Sequence, residues 1–202
     1  VENEKVMISK ENSYIMKKVA FISAREDEEI SDLIYRAAQI VGSEFLNNKG
    51  FKLSDCVEAI EGTSNQVFSG VVVDRKPLNV FENIVLNNAK IMVIDDSFDI
   101  DDNIKELLTT EAGLNNYLEN IEVIKSWAKK IVSMNVNLLL CDRGINSMAM
   151  QILSDGNVVV VDRVLNSQLE KVARHSGSKM LKKSALNKNI EYLSNCTGVA
   201  DK

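Results

Sequence analysis

The alternation between residues 70 and 156 limits this chain more than any other feature: apolar runs that read as strands are separated by segments that read as helices. Gly70-Val-Val-Val-Asp74 opens the block as a strand signal. Lys90-Ile-Met-Val-Ile-Asp95-Asp96 and Asn137-Leu-Leu-Leu-Cys-Asp142 follow, each ending on acid. Between them Leu114, Tyr117, Leu118, Ile121, Ile124, Ala128, Ile131 and Val132 recur at helical spacing, with Trp127 beside the stripe as a packing residue. Gly144 to Leu153 is again helical in pattern. Val158-Val-Val-Val161 is apolar without alternation, as in a strand buried on both faces. Strands interleaved with helices predict an α/β fold.

Composition excludes several classes of partner. At 45% hydrophobic and 26% charged, 202 residues can bury one or two cores. A net charge of -5 with no concentrated basic run argues against nucleic acid and against an anionic membrane, both of which demand clustered Lys and Arg. Cys56, Cys141 and Cys196 are odd in number and far apart, which suggests neither a disulfide framework nor a zinc site and fits a reducing compartment. No apolar run approaches the roughly 18 residues of a membrane span and no signal-peptide pattern heads the chain, so the expected location is the cytoplasm. The start at Val1 and the polar end Val199-Ala-Asp-Lys202 read as a piece of a longer protein.

Residues 1–18 are polar without a clear period, and Val19 to Ala24 is a short apolar run. The acids of Arg25-Glu-Asp-Glu-Glu29 suit the positive end of a helix. Ile30, Leu33, Ile34, Ala37, Ala38 and Val41 then share one face of a helix ending near Gly42. Short β-branched runs, Val57-Glu-Ala-Ile60 and Val67 to Val73, flank the turn signal Glu61-Gly-Thr-Ser-Asn65, and a domain boundary is expected in this region. Pro77, just past the last run, is placed to end a ladder.

Asp96 to Gly113 carries six acids against one base, Lys105, with Phe98, Ile100, Ile104, Leu107 and Leu108 interleaved. The segment reads either as an exposed arm that binds another subunit or as a loop with one helical turn. In the helix that follows Gly144, the spacing puts Ile145, Met148, Ala149, Ile152 and Leu153 on one face and Ser147, Met150, Gln151 and Ser154 on the other. Asn166 or Ser167 can cap a last helix with Leu169, Val172 and Ala173 inward and Gly177 as its stop. His175 has no Cys or carboxylate at ligand spacing. With no glycine-rich phosphate loop, no Gly-x-Ser-x-Gly elbow and no His-Glu-x-x-His, the expectation is a non-enzymatic chain without catalytic, metal or cofactor residues.

Ile91 to Ser97 with Asp142 resembles the acidic, magnesium-binding pocket of a response-regulator receiver domain. That pattern breaks where Leu114 to Met134 is helical instead of holding a further strand, and where Asp162 and Arg163 replace a Ser or Thr.

A second resemblance covers more of the chain. Gly70-Val-Val-Val-Asp74, Asn88-Ala-Lys-Ile91, Cys141-Asp-Arg-Gly-Ile145, Asp162-Arg-Val164 and Leu169-Glu-Lys-Val-Ala-Arg174 followed by Gly177 look, in order, like landmarks of the apical domain of group II, thermosome-type chaperonins. Ile22-Ser-Ala24, Asp27-Glu-Glu-Ile30 and Ala37 to Gly42 look like the first half of a chaperonin intermediate domain, nearer the bacterial group I form, which fits a group II-like member carried by a bacterium. The resemblance implies a swivelling β/β/α apical domain with a helical protrusion, over residues 57–190, after a partial α+β intermediate domain over 1–56. Residues 191–202 would begin the return to the intermediate domain. Implied too are capture of non-native polypeptides through Ser147, Met150, Gln151 and Ser154, and a built-in lid at about residues 97–119 that includes Phe98, Ile100, Ile104, Leu107 and Leu108. Partners would be other subunits of a ring, and ATP with magnesium would bind the full-length protein outside this fragment. A chaperonin-like interaction scaffold in a non-folding protein is the alternative. One departure is Asn79-Val-Phe-Glu-Asn83, which stands where the family has a turn with proline and glycine.

Overall fold

The computed structural model describes residues 13–42, 46, 52–59, 61–79, 84–101, 103 and 110–200. They fall into two compact units, Val1–Gly70 and Val71–Lys202. In the first, helix α1 (Ser13–Ser23) packs against α2 (Glu28–Val41). The described part of the polar stretch, from Ser13, and the short apolar run up to Ser23 thus form one helix. Asp27 caps α2 by accepting from Ile30 N at 2.9 Å, and Glu28 and Glu29 lie at its positive end. Gly42, at φ 80°, closes the helix in a conformation that side chains disfavour. Ala20, Ser31 and Ala38 are buried, whereas Ile22, Ile30 and Ile40 are exposed. Among the described residues of 57–69 there is no strand, and Ile60 lies outside them.

The second unit is built on β1 (Ala89–Ile94), β2 (Leu138–Cys141), β3 (Val159–Val161), β4 (Met180–Leu181) and β5 (Gly198–Ala200). Strands run in the order β3-β2-β1-β4, all parallel, with Ile91 opposite Leu138 and Leu138 opposite Val159. One edge of β1 is shared end to end: Val93 and Ile94 pair with β4, while Ala89 to Ile91 pair antiparallel with β5. The junction is tight. A Cβ on Gly198 would lie 2.4 Å from Ser176 O and 2.6 Å from Ser178 N.

Val71 to Val73 form no strand, contrary to the expectation from their β-branching. They are half-buried instead, with Val71 and Val73 packed on the core. The outer edge of β3 is already occupied: Leu78 N donates to Val160 O at 2.8 Å, and the Asn79 side chain donates to Val158 O and accepts from Val160 N. Pro77 therefore ends no ladder; the residues after it seal the edge, which would otherwise be open to another chain.

Both faces of the sheet are covered. On one lie α3 (Glu111–Ser133), capped by Thr110, and α4 (Ser147–Asp155), capped by Asn146; Ile124, Trp127, Ile131, Ala149 and Leu153 pack there with Met92, Ile94, Leu139 and Val160. On the other, α5 (Asn166–Ser176) sets Leu169 and Val172 with Ile91, Val93, Leu140 and Val161. Gly177 ends α5 in the left-handed region, at φ 73°. A short helix α6 (Ile190–Ser194) buries Leu193 before β5.

Phe98 and Ile100 correct the expectation of an arm. Both are buried in the core, and the Phe98 ring meets Trp127 edge-on at 5.8 Å between centroids, with planes at 70°. Trp127 is fixed in turn by donating from Nε1 to Asn187 Oδ1 at 2.8 Å. Ile104, Leu107 and Leu108 lie outside the described residues.

Candidate interaction face and polar rim

Helix α4 begins where the chain leaves β2 and turns through Gly144, Ile145 and Asn146. Asn146 Oδ1 accepts from Met148 N at 3.0 Å, satisfying one of the free amides of the first turn. Ala149 and Leu153 are fully buried and fix the inward direction of the helix. At 100° per residue, Met150 lies about 80° from that direction and Met148 about 120°. The expected roles of the two methionines are therefore exchanged. Met148 is 47% exposed, whereas Met150 is half-buried and packs on the core with Ile152. Ser147 and Gln151 face solvent as expected, and Ser154 is half-buried. The open face of α4 is thus Ser147, Met148 and Gln151, bordered by Met150 and Ser154.

Beside this face runs the rim at the C-terminal ends of the parallel strands, where Asp95, Asp96, Asp142 and Asp162 stand. The acids do not converge on a vacant centre, and among the described residues no group of side chains could hold a metal ion. Asp95 accepts from Asn166 Nδ2 at 2.8 Å and pairs with Lys182 Nζ at 2.6 Å. That hydrogen bond holds the Lys182 ammonium above its ordinary pKa. Asp96 accepts from Ser97 N and Lys183 N, while Asp142 and Asp162 lie 3.6 and 3.7 Å from Arg143 and Arg163.

Cys141 lies beneath the rim, fully buried. Burial pushes its thiol pKa up, and the charges of Asp162 and Asp142 add to the shift. Cys196 is buried and Cys56 exposed. Titration of the native chain with a thiol reagent should modify Cys56 rapidly and the other two only on unfolding, because the reagent cannot reach a buried sulfur.

Sequence reasoning missed Lys182 and Lys183. Lys183 Nζ donates to Asp99 O at 2.6 Å and to Asp101 Oδ1 at 2.8 Å. The available signal was the acid-rich stretch 95–101, whose charges require counterparts; the two lysines sit more than eighty positions away in sequence, with partner separations such as 84.

The TCP-1/cpn60 chaperonin family matches residues 2–202. The chain is 25% identical over 194 residues to the thermosome subunit beta of Archaeoglobus fulgidus, covering 87% of this chain and 35% of that one. It is 28% identical over 192 residues to the thermosome subunit beta of Saccharolobus shibatae, covering 86% and 34%. It thus spans about a third of the length of these relatives. Among solved structures, a group III chaperonin in the open state superposes with a TM-score of 0.84 at 27% identity, over 98% of this chain and 40% of that one. An open-state monomer of a group II chaperonin from Methanococcoides burtonii gives 0.66 at 15% identity, over 99% and 46%, a likeness of fold.

Proposed function

Because the chain belongs to the TCP-1/cpn60 chaperonin family, we propose that it is the part of a chaperonin subunit that takes hold of non-native polypeptides, with residues 71–202 as apical domain and the preceding unit as part of the intermediate domain. The observation that carries this reading is the open face of α4. A surface that must accept many unfolded chains cannot rely on a shaped pocket; it needs adaptable apolar contact with hydrogen-bonding groups around it. Met148 supplies a flexible, polarizable side chain, and Ser147 and Gln151 supply the polar groups. The helix beneath them is held by Ala149 and Leu153, so the face is presented on a rigid support.

In the complete protein, ATP and magnesium would act outside this chain, within a cytoplasmic ring of like subunits. Movement driven there would alternately expose and cover the α4 face, a shift between two arrangements. The built-in lid implied by the family would draw on Ile104, Leu107 and Leu108 and not on Phe98 and Ile100, which belong to the core.

The test is suppression of aggregation of a chemically unfolded client, measured alongside thermal melts. Met148→Glu should change stability by roughly 0.5 kcal/mol or less, as exposed substitutions usually do. It should weaken client capture, because a charge then has to be desolvated on contact. Met150→Ala should instead cost about 1–2 kcal/mol, less than a fully buried methionine. If folded Met148→Glu captures clients as well as wild type, α4 is not the capture surface.

A further inference from the structure

We infer that Lys183 is a latch that holds segment 97–101 on the sheet and, through Asp99 and Asn146, fixes the first turn of α4. The segment lacks a strand ladder. Among the described residues its backbone meets the domain at an isolated bridge between Phe98 and Ile145, in which Phe98 N donates to Gly144 O at 3.0 Å and Asn146 N to Phe98 O at 2.8 Å. Lys183 adds two bonds along the segment, from its Nζ to Asp99 O and to Asp101 Oδ1, and its backbone N donates to Asp96 Oδ2, just before the segment, at 3.2 Å. The Lys183 side chain is only 21% exposed, so its charge depends on these acceptors more than on water.

Asp99 passes the constraint on. Its Oδ1 accepts from Ile100 N at 2.7 Å and from Asn146 Nδ2 at 2.9 Å. Asn146 uses both ends of its amide: Nδ2 holds the segment, and Oδ1 caps Met148 N. A continuous polar path therefore runs from β4, through Lys183 and Asp99, to the cap of the helix that carries Met148. Loss of the latch loosens the segment and the cap together, with Phe98 and Ile100 still seated in the core, while the ladder between β1, β2 and β3 contains no member of the path. As regulation of the capture face, the inference rests on the function proposed above, but its test contains no client.

The experiment is hydrogen exchange of the 202-residue chain. Lys183→Met, which keeps the aliphatic stem, should accelerate exchange at Phe98, Ile100 and Met148 by roughly tenfold, the order expected for a lost charge-assisted hydrogen bond. Leu139, Leu140 and Val160 should be unchanged, and Lys183→Arg should restore protection. Asp101→Asn keeps an acceptor oxygen but removes its charge at an exposed site, and should accelerate the same three amides by about threefold, since exposed pairs contribute less. The latch is overturned if Lys183→Met leaves those amides unchanged, if sheet amides accelerate equally, or if Asp101→Asn has no effect. Failure of Met148→Glu to impair capture would leave these exchange results standing.

Discussion

Phe98→Ala is expected to destabilise the chain by about 3–5 kcal/mol, the range for removing a large aromatic side chain from a packed core. Phe98 is fully buried, and its substitution also forfeits the edge-on contact with Trp127, worth about 0.5–1.5 kcal/mol beyond area. At roughly 2–4 °C per kcal/mol for a chain of this size, the melting temperature should fall by about 6–20 °C. A residue on an exposed arm would instead move stability by about 0.5 kcal/mol or less. A melt of Phe98→Ala coincident with wild type would return Phe98 to the arm.

Gly198→Ala should cost about 3 kcal/mol, the upper part of the usual range for overpacking. The added methyl would meet backbone, Ser176 O at 2.4 Å and Ser178 N at 2.6 Å, so no side-chain rotation can relieve it. The Gly198 amide region can retreat only by breaking the pairing of β5 with β1. Gly144→Ala is the control, because nothing lies within 4 Å of its added methyl. Urea unfolding should show a large fall in midpoint for Gly198→Ala and a change within roughly 0.5 kcal/mol for Gly144→Ala. Equal midpoints would mean that the β4–β5 junction tolerates more space than its geometry indicates.

The central strands were legible because Ile91 to Ile94, Leu138 to Cys141 and Val159 to Val161 are buried on both faces, which leaves an unbroken apolar run. Helix α2 announced itself by the acids at its start and by its glycine stop, and Asp27 among those acids proved to be its cap. The misreadings have specific causes. Val71 to Val73 have strong β-propensity, yet propensity reports the fit to a neighbouring surface, and the outer edge of β3 is taken by Leu78 and Asn79. β4 and β5 are two and three residues long, too short for any period to show.

Phe98 and Ile100 were masked by their acids. In an extended segment alternate residues face opposite ways, so Phe98 and Ile100 point inward while Asp99 and Asp101 reach Asn146 and Lys183. The partners that make this favourable come from distant parts of the chain. On α4 the composition identified an amphipathic helix, but its phase was set by Ala149 and Leu153, small and large buried neighbours whose priority over Met148 depends on packing across the sheet. Ser147 and Gln151 were placed correctly because any phase that buries both Ala149 and Leu153 leaves them outside.

The shared edge of β1 also bears on how the chain is made. Ala89 to Ile94 are made well before the segments that complete this edge, Met180–Leu181 and Gly198–Ala200, because α3, β2, α4, β3 and α5 lie between them in sequence. At roughly 5–20 residues per second, the nascent chain carries an apolar strand with one unpaired edge for about 5–20 s. Such an edge is a template for pairing with other chains. During that interval this domain is itself an unfinished polypeptide in need of protection, the same kind of molecule that its finished surface is proposed to hold.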